Sequence, residues 1–295
     1  MTARKSNHVL KAQKKEAPSK GGSKNKSDEI VEETEDEKES DGLLNAILFA
    51  AIIAIVVRSF LFEPFSIPSG SMFPTLKVGD YLFVSKYSYG YSKYSFPLGI
   101  IDFDGRIFEK SPERGDIVVF RKPYQEHIDY IKRVIGLPGD EIQMVDGQLH
   151  INGKLVPRDF IGMETISEDG VKQTYFKYIQ NPPGTDIYHN IYELSDEEAL
   201  DFTTRFKIPE GYFFAMGDNR DESLDSRAVA SVGFVPMENL VGRASFFFFS
   251  VEPSAHKCQS EGSLALMKNM FCKIFYLPTN IRYERIFRPV NRSVK

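Results

Sequence analysis

Histidine is scarce in this chain and poorly placed for catalysis. His8, His127, His150, His189 and His256 show no metal-ligand spacing, and none adjoins a Gly-x-Ser-x-Gly turn. A zinc protease and a serine-histidine-aspartate hydrolase therefore lack support. No phosphate-cradling loop occurs, and neither a metal nor a cofactor is called for. The net charge of −4 provides no general basic surface, so nucleic acid is not an expected partner. Only two cysteines are present, Cys258 and Cys272; they are compatible with a bridge in an oxidising compartment and equally with free thiols. Turn signals recur at irregular intervals, which excludes a repeat architecture.

The 295 residues, 42% apolar and 26% charged, can bury a sizeable core and predict one main globular domain with appendages. Residues 1 to 42 carry basic residues from Arg4 to Lys26 and then an acidic block from Asp28 to Asp41. They contain too little apolar surface to offset the entropy of ordering, and read as a disordered arm. Composition switches at Leu43. From Leu43 to Val57 the only polar residue is Asn45, and Phe60, Leu61 and Phe62 extend the apolar character, so residues 43 to 62 read as one membrane-spanning helix. A signal-peptide segment fits less well, because the preceding region is long and acidic and no small-x-small site follows Val57. A buried core helix fits less well, because the remainder reads as strands. Lys24, Lys26 and Lys38 precede the span within twenty residues, against Lys77 alone after it. That asymmetry favours a cytoplasmic N-terminus and an extracytoplasmic domain over residues 63 to 295.

Past the span, short β-branched or aromatic runs alternate with turn signals: Tyr81 to Val84, Ile117 to Phe120, Gln148 to Ile151 and Ala244 to Phe249. Gly-Asp at 79-80, 115-116, 139-140 and 217-218, with Asp146-Gly147 and Asn152-Gly153, mark the turns. The fold expected is mainly β and antiparallel with long excursions. A more polar stretch from about Phe160 to Glu210 reads as an inserted lobe, with a short helix over Asp196 to Phe206.

Two segments carry chemistry. Ile67-Pro68-Ser69-Gly70-Ser71-Met72-Phe73-Pro74 puts Ser71 in a turn bounded by proline and glycine, and Asp129-Tyr130-Ile131-Lys132-Arg133-Val134 puts Lys132 in an apolar run. A serine hydroxyl needs a base, and a lysine near its free pKa of about 10.4 cannot serve at neutral pH. Apolar burial disfavours the ammonium and lowers that value. On a strand, Arg133 points to the opposite face from Lys132, which separates the amine that must be neutral from the guanidinium that stays charged.

These segments, with Gly115-Asp116-Ile117-Val118-Val119-Phe120 and Gly217-Asp218-Asn219-Arg220-Asp221-Glu222-Ser223-Leu224-Asp225-Ser226-Arg227, resemble in order and character the boxes of the bacterial type I signal peptidases, serine/lysine proteases of family S26. The resemblance runs from about Arg58 to Gly242, is poor in the lobe and absent in residues 1 to 42. It implies the antiparallel β catalytic domain shared with self-cleaving repressors, behind a single transmembrane helix. It implies a serine endopeptidase that removes signal peptides from exported preproteins after small-x-small sites. The enzyme would sit in the inner (cytoplasmic) membrane with its catalytic domain on the periplasmic side, and the lipid bilayer and the export translocon would be its neighbours. Residue by residue, Ser71 would be the nucleophile and Lys132 the general base. The Ser71 N–H and the Ser69 hydroxyl would hold the oxyanion. Ser223 would hydrogen-bond the Lys132 amine, and Asp225 and Arg227 would support the loop as an ion pair. Phe65, Ile67, Pro68, Met72, Leu76, Leu82, Val119, Tyr130 and Ile131 would line shallow apolar pockets for an extended peptide. Glu222 departs from the asparagine of many relatives and is expected to face solvent; close to Lys132 it would oppose the base role.

Readings of other classes make different demands. A self-cleaving repressor would carry a DNA-binding helix pair where this chain has its apolar span. A catalytically silent membrane scaffold would survive Ser71→Ala unchanged in function. A maturation protease for one exported substrate shares every motif named.

Overall fold

Leucine, isoleucine and alanine without interruption favour a helix over any structure that must pair its backbone elsewhere. The computed structural model of the chain describes residues 26–96, 101–168, 171–253 and 278–290. The chain divides into two compact units, Met1–Ile52 and Ile53–Lys295. Helix α1 occupies Lys26–Phe60. Residues 26–42, expected to be part of a disordered arm, are thus helical. Glutamate is a good helix former, and extending an existing helix avoids the cost of a new nucleus. At its other end α1 stops at Phe60, short of the expected Phe62, because Pro64 cannot sit in a helix interior and restricts Glu63 before it. Gly42–Phe60, 19 residues, is long and apolar enough to cross a membrane by length and composition. Leu43 and Phe49 are each 65% exposed, which a helix packed into a protein core would not allow.

The strands are β1 (Phe62–Ser66), β2 (Asp80–Ser85), β3 (Ile117–Lys122), β4 (Gln125–Gly136) and β5 (Glu141–Val145). They continue with β6 (Gln148–Ile151), β7 (Lys154–Leu155), β8 (Arg158–Glu168), β9 (Val171–Gln180) and β10 (His189–Glu193). The last four are β11 (Phe206–Lys207), β12 (Tyr212–Met216), β13 (Val235–Pro236) and β14 (Leu240–Ser250). Seven form one sheet in the order β1-β2-β14-β3-β4-β12-β13, with antiparallel neighbours throughout. All four runs named above as strands lie in strands: β2, β3, β6 and β14.

β3 is buried on both faces, which is why Ile117-Val118-Val119-Phe120 does not alternate with polar residues. Ile117 and Val119 join Leu82, Val84, Val241, Ala244 and Phe247 on one side. Val118 and Phe120 join Val134, Phe213, Ala215 and Leu240 on the other. Each such side chain contributes about 1.5–3 kcal/mol relative to exposure, so the central strands are the rigid part of the scaffold.

Three of the four Gly-Asp pairs make the same turn. The aspartate carboxylate of Asp80, Asp116 and Asp140 accepts the amide N–H three residues back, from Lys77, Glu113 and Leu137, and the glycine takes a positive φ. The fourth pair, Gly217-Asp218, spends its carboxylate elsewhere.

The excursion between β4 and β12 is longer than the expected lobe, beginning at β5 rather than near Phe160. It holds two small sheets, β11-β5-β6-β7 and β10-β9-β8. The first is tied to the main sheet by Ile142, Met144, Leu149 and Ile151 packing on Ile135, Phe214 and Met216. The helix expected over Asp196 to Phe206 is not formed; bends and turns lead into β11. Thr203 donates its backbone N–H to the Met144 carbonyl and its hydroxyl accepts the Met144 N–H, so tertiary pairing to β5 wins over local propensity. In the C-terminal segment, Arg282 and Arg285 both reach the Asp80 carboxylate, closing the domain. Cys258 and Cys272 lie outside the described residues.

Candidate active site

The connection from β1 to β2 is short of regular structure, and its shape is set by three buried anchors. Ile67 is 3% exposed, and Met72 and Leu76 are fully buried in the core beneath the main sheet. The Leu76 N–H donates to the Met72 carbonyl and the Phe73 N–H to the Gly70 carbonyl, 2.9 Å each, winding residues 70–76 into tight turns. Ser71 is half-buried at the head of this coil, with Met72 beside it driven inward. Phe73 packs away from the sheet against Tyr175 of β9 and Tyr192 of β10.

Lys132 lies on β4, opposite Val118 of β3. Its Nζ is 2.6 Å from Ser71 Oγ, and the ring of Tyr130, two residues earlier on the same face, flanks it at 5.3 Å. Lys132 is 4% exposed. Burial lowers its ammonium to about 8, against the opposing pull of Asp225 and Asp218. An amine with that pKa is uncharged in an appreciable fraction of molecules near neutral pH, and along so short a contact it can accept the serine proton.

The two nearby carboxylates would favour the ammonium, yet each is already engaged by its own arginine. Arg133 donates through Nε to Asp218 Oδ1 at 2.8 Å and through Nη2 to Oδ2 at 2.6 Å. Arg227 donates to Asp225 through Nε and Nη2, both at 2.9 Å. Burial pushes both carboxyls up, but the arginines outweigh it and hold both below the ordinary carboxylate range. Asp218 also accepts the Thr75 hydroxyl at 2.5 Å, and Asp225 the Gly217 N–H at 3.0 Å. Desolvation of Lys132 therefore wins over attraction, because the attracting charges are neutralised in place.

A cleft of about 240 Å³ opens at the serine, lined by Ser69, Gly70, Ser71, Tyr130, Lys132, Glu222 and Leu224. Among the described residues, neither the Ser69 hydroxyl nor the Ser71 N–H has a protein acceptor. The expected hydrogen bond from Ser223 to Lys132 is not formed: Ser223 Oγ is buried beneath Gly217, where an added Cβ would collide with it and with the Ser71 carbonyl oxygen. The Asp225–Arg227 pair is present as expected. Of the nine residues expected to line apolar pockets, Tyr130 lines the cleft directly. Ile67, Met72, Leu76, Leu82 and Val119 are core side chains, Phe65 and Ile131 are half-buried on that same core, and Pro68 is exposed. Glu222 is exposed as expected, yet stands at the cleft with one oxygen held.

Several residues of the site were not legible in the motifs. Strand alternation places Arg133 only on the far face from Lys132, and its clasp on Asp218 joins residues 85 apart. Asn219 donates its backbone N–H to the Ser71 carbonyl and its Nδ2 to the Gly70 carbonyl, both at 3.2 Å, fixing the serine turn. Tyr192 exchanges backbone hydrogen bonds with Asp218 and Arg220, so β10 braces the loop. The Gly-Asp-Asn-Arg string is the local signal for Asn219, and Tyr192 has none.

The chain matches the family model described as signal peptidase, peptidase S26, over residues 41–249. It is 45% identical over 249 residues to signal peptidase I of Rickettsia prowazekii (strain Madrid E), covering 81% of this chain and 90% of that one. It is 42% identical over 255 residues to signal peptidase I of Rickettsia akari (strain Hartford), covering 81% and 89%. A crystal structure of a signal peptidase I from Enterococcus faecalis V583 matches with a TM-score of 0.29 at 25% identity, over 46% of this chain and 98% of that one.

Proposed function

The chain belongs to the signal peptidase family, peptidase S26, and on that premise we propose a membrane-anchored serine endopeptidase that cuts signal peptides from exported preproteins, with Ser71 as nucleophile and Lys132 as base. The observation that carries the proposal is the 2.6 Å approach of a buried lysine amine to a serine hydroxyl at the floor of an open cleft.

Ser71 Oγ forms a bond to the scissile carbonyl carbon while its proton passes to Lys132 Nζ. The carbonyl oxygen becomes an oxyanion, held by the Ser71 N–H and the Ser69 hydroxyl, two donors with no other acceptor among the described residues. Collapse breaks the carbon–nitrogen bond, and the Lys132 ammonium returns its proton to the leaving amine. Water then attacks the acyl-serine, giving a proton to Lys132, and release of the acyl chain returns that proton to Ser71 Oγ. Asp225 and Arg227 hold the loop that carries Ser223 beside the serine turn.

β12 pairs with β4 only at Arg133, Val134 and Gly136, so β4 from Tyr130 to Lys132 keeps an edge on which an extended peptide can lie. Small residues at the first and third positions before the cut would rest over Tyr130, Ile131, Pro68 and Phe65, with Ile67, Met72, Leu76, Leu82 and Val119 forming the floor beneath. Residues 43 to 62 are proposed as the anchor, residues 1 to 42 as a cytoplasmic arm, and 63 to 295 as the periplasmic domain. A substrate held in the same bilayer by its own apolar segment would then meet the site beside the translocon.

The test is cleavage of a preprotein by purified protein, with the new N-terminus sequenced. Product after a small-x-small site, lost in Ser71→Ala, is expected; cleavage that survives the alanine variant overturns the assignment.

A further inference from the structure

Glu222 is an acidic residue of the loop whose chemistry the mechanism leaves unused. It lines the cleft beside Ser71 and Lys132. Its position is fixed from two sides: Tyr175, on the β9 strand of the excursion, donates its hydroxyl to Oε2 at 2.5 Å, and Asn219 donates Nδ2 to the same oxygen at 3.0 Å. Both donors are neutral, and among the described residues Oε1 has no donor.

The surrounding cations are committed elsewhere. Arg133 is paired with Asp218 and Arg227 with Asp225, while Arg220 donates to the Gln180 side chain and the Gly217 carbonyl. With Lys132 neutral, as its role as base requires, Glu222 is the only charged group among the seven residues that line the cleft. The catalytically ready cleft therefore has a net charge of −1. That charge faces a reaction in which a second negative charge develops on the carbonyl oxygen. The Lys132 ammonium formed in the same step balances that oxyanion, so the cleft keeps the single negative charge of Glu222 throughout, and a cation brought by the substrate offsets it.

We propose that Glu222 is a specificity-determining residue that takes a lysine or arginine side chain of the substrate within two residues of the scissile bond. The inference rests on the cleft being the active site as read above. The first and third positions before the cut are reserved for small residues, which leaves the second position before it and the first two after it. Successive residues of an extended chain are about 3.3 Å apart, and Glu222 lines the same cleft as Ser71, so a long lysine side chain at any of these can reach toward it. Because the carboxylate is already held by Tyr175 and Asn219, little side-chain freedom is lost on pairing.

The experiment uses the full-length protein in detergent and one preprotein cleavage site carrying Ala, Lys or Glu in turn at each of the three positions. At one of them, kcat/KM should run Lys over Ala over Glu, with Lys about fivefold above Ala, the size of a partly exposed charge contact. In Glu222→Gln the Lys-to-Glu ratio should collapse about tenfold, since the amide oxygen still accepts from Tyr175 and Asn219 while the charge is gone. Raising salt on the wild-type protein should shrink the same ratio without any substitution, which keeps the test independent of how the variant folds. Equal ratios in wild type and Glu222→Gln, or a wild-type ratio near one at all three positions, overturn the inference while leaving the active-site reading standing. Failure of the wild-type protein to cleave any member of the series overturns the reading beneath it.

Discussion

Arg133 clasps Asp218 through two hydrogen bonds of 2.8 and 2.6 Å, while its neighbour Lys132, one residue earlier on β4, turns its amine to Ser71. A single strand thus carries two buried cationic side chains of opposite fate. The guanidinium keeps its charge because a carboxylate accepts it in both arms, and the amine can lose its proton because burial disfavours the ammonium while Asp218 and Asp225 are each held by an arginine.

Replacing Lys132 by arginine tests that division. Arginine keeps a positive charge and donors but cannot act as a base at workable pH. Turnover of a preprotein should fall by at least about 10³-fold, the upper part of the range for general-base catalysis, with folding checked by circular dichroism. Substantial cleavage by Lys132→Arg would refute the role given to Lys132.

The pH dependence follows from the direction of the shift. Burial lowers the Lys132 ammonium to about 8, so the base form grows as pH rises and kcat/KM should climb on the acid side with its midpoint near pH 8 and level off about one unit higher. Asp218 and Asp225 are held below the ordinary range, so they stay ionised through that window and add no limb of their own. A profile with its acid limb near pH 6, or one abolished by histidine-directed reagents, would point to another base.

The buried amine also carries a stability cost. Between about pH 8 and its unfolded value near 10.4, the unfolded chain binds more protons at this position than the folded chain, so this group's contribution to stability rises with pH there. Lys132→Met should be inactive yet more stable at pH 7, by up to about 3 kcal/mol, read from chemical denaturation. The gap between variant and wild type should narrow as pH approaches 10.

Asp218→Asn leaves Arg133 buried without its counter-charge. A loss of about 3–5 kcal/mol is expected from breaking a buried pair on one side, seen as a drop in melting temperature larger than that of the double variant Arg133→Met with Asp218→Leu.

Gly217→Ala puts a methyl group against Ser223 and the Ser71 carbonyl oxygen. The serine turn must shift, and a displacement near 1 Å should lower kcat about 10²-fold with a smaller effect on KM. An alanine variant with wild-type kcat would show that the turn is not held by this contact.

The apolar span, the strand-rich body and the separation of Lys132 from Arg133 were legible because each rests on a local pattern: an uninterrupted run, a turn every few residues, the two-residue alternation of a strand. The expected helix over Asp196 to Phe206 failed where Thr203 is claimed by Met144, and the disordered reading of residues 26–42 failed where an adjoining helix carries them along. Both errors arise when a neighbour overrides local propensity.

The sequence by itself determined the proposed catalytic pair as a type, a serine in a proline-glycine turn and a lysine in an apolar strand, together with an acidic loop between glycine and arginine. These are properties of short segments, set by backbone sterics and by the hydrophobicity of adjacent residues. Only the tertiary structure decided which carboxylate meets which arginine, that Asn219 fixes the serine turn, that Ser223 lies under Gly217, and that Glu222 faces the cleft in the grip of Tyr175. Charge neutralisation and desolvation depend on distances between segments far apart in the chain, and those distances exist only once the sheet has closed.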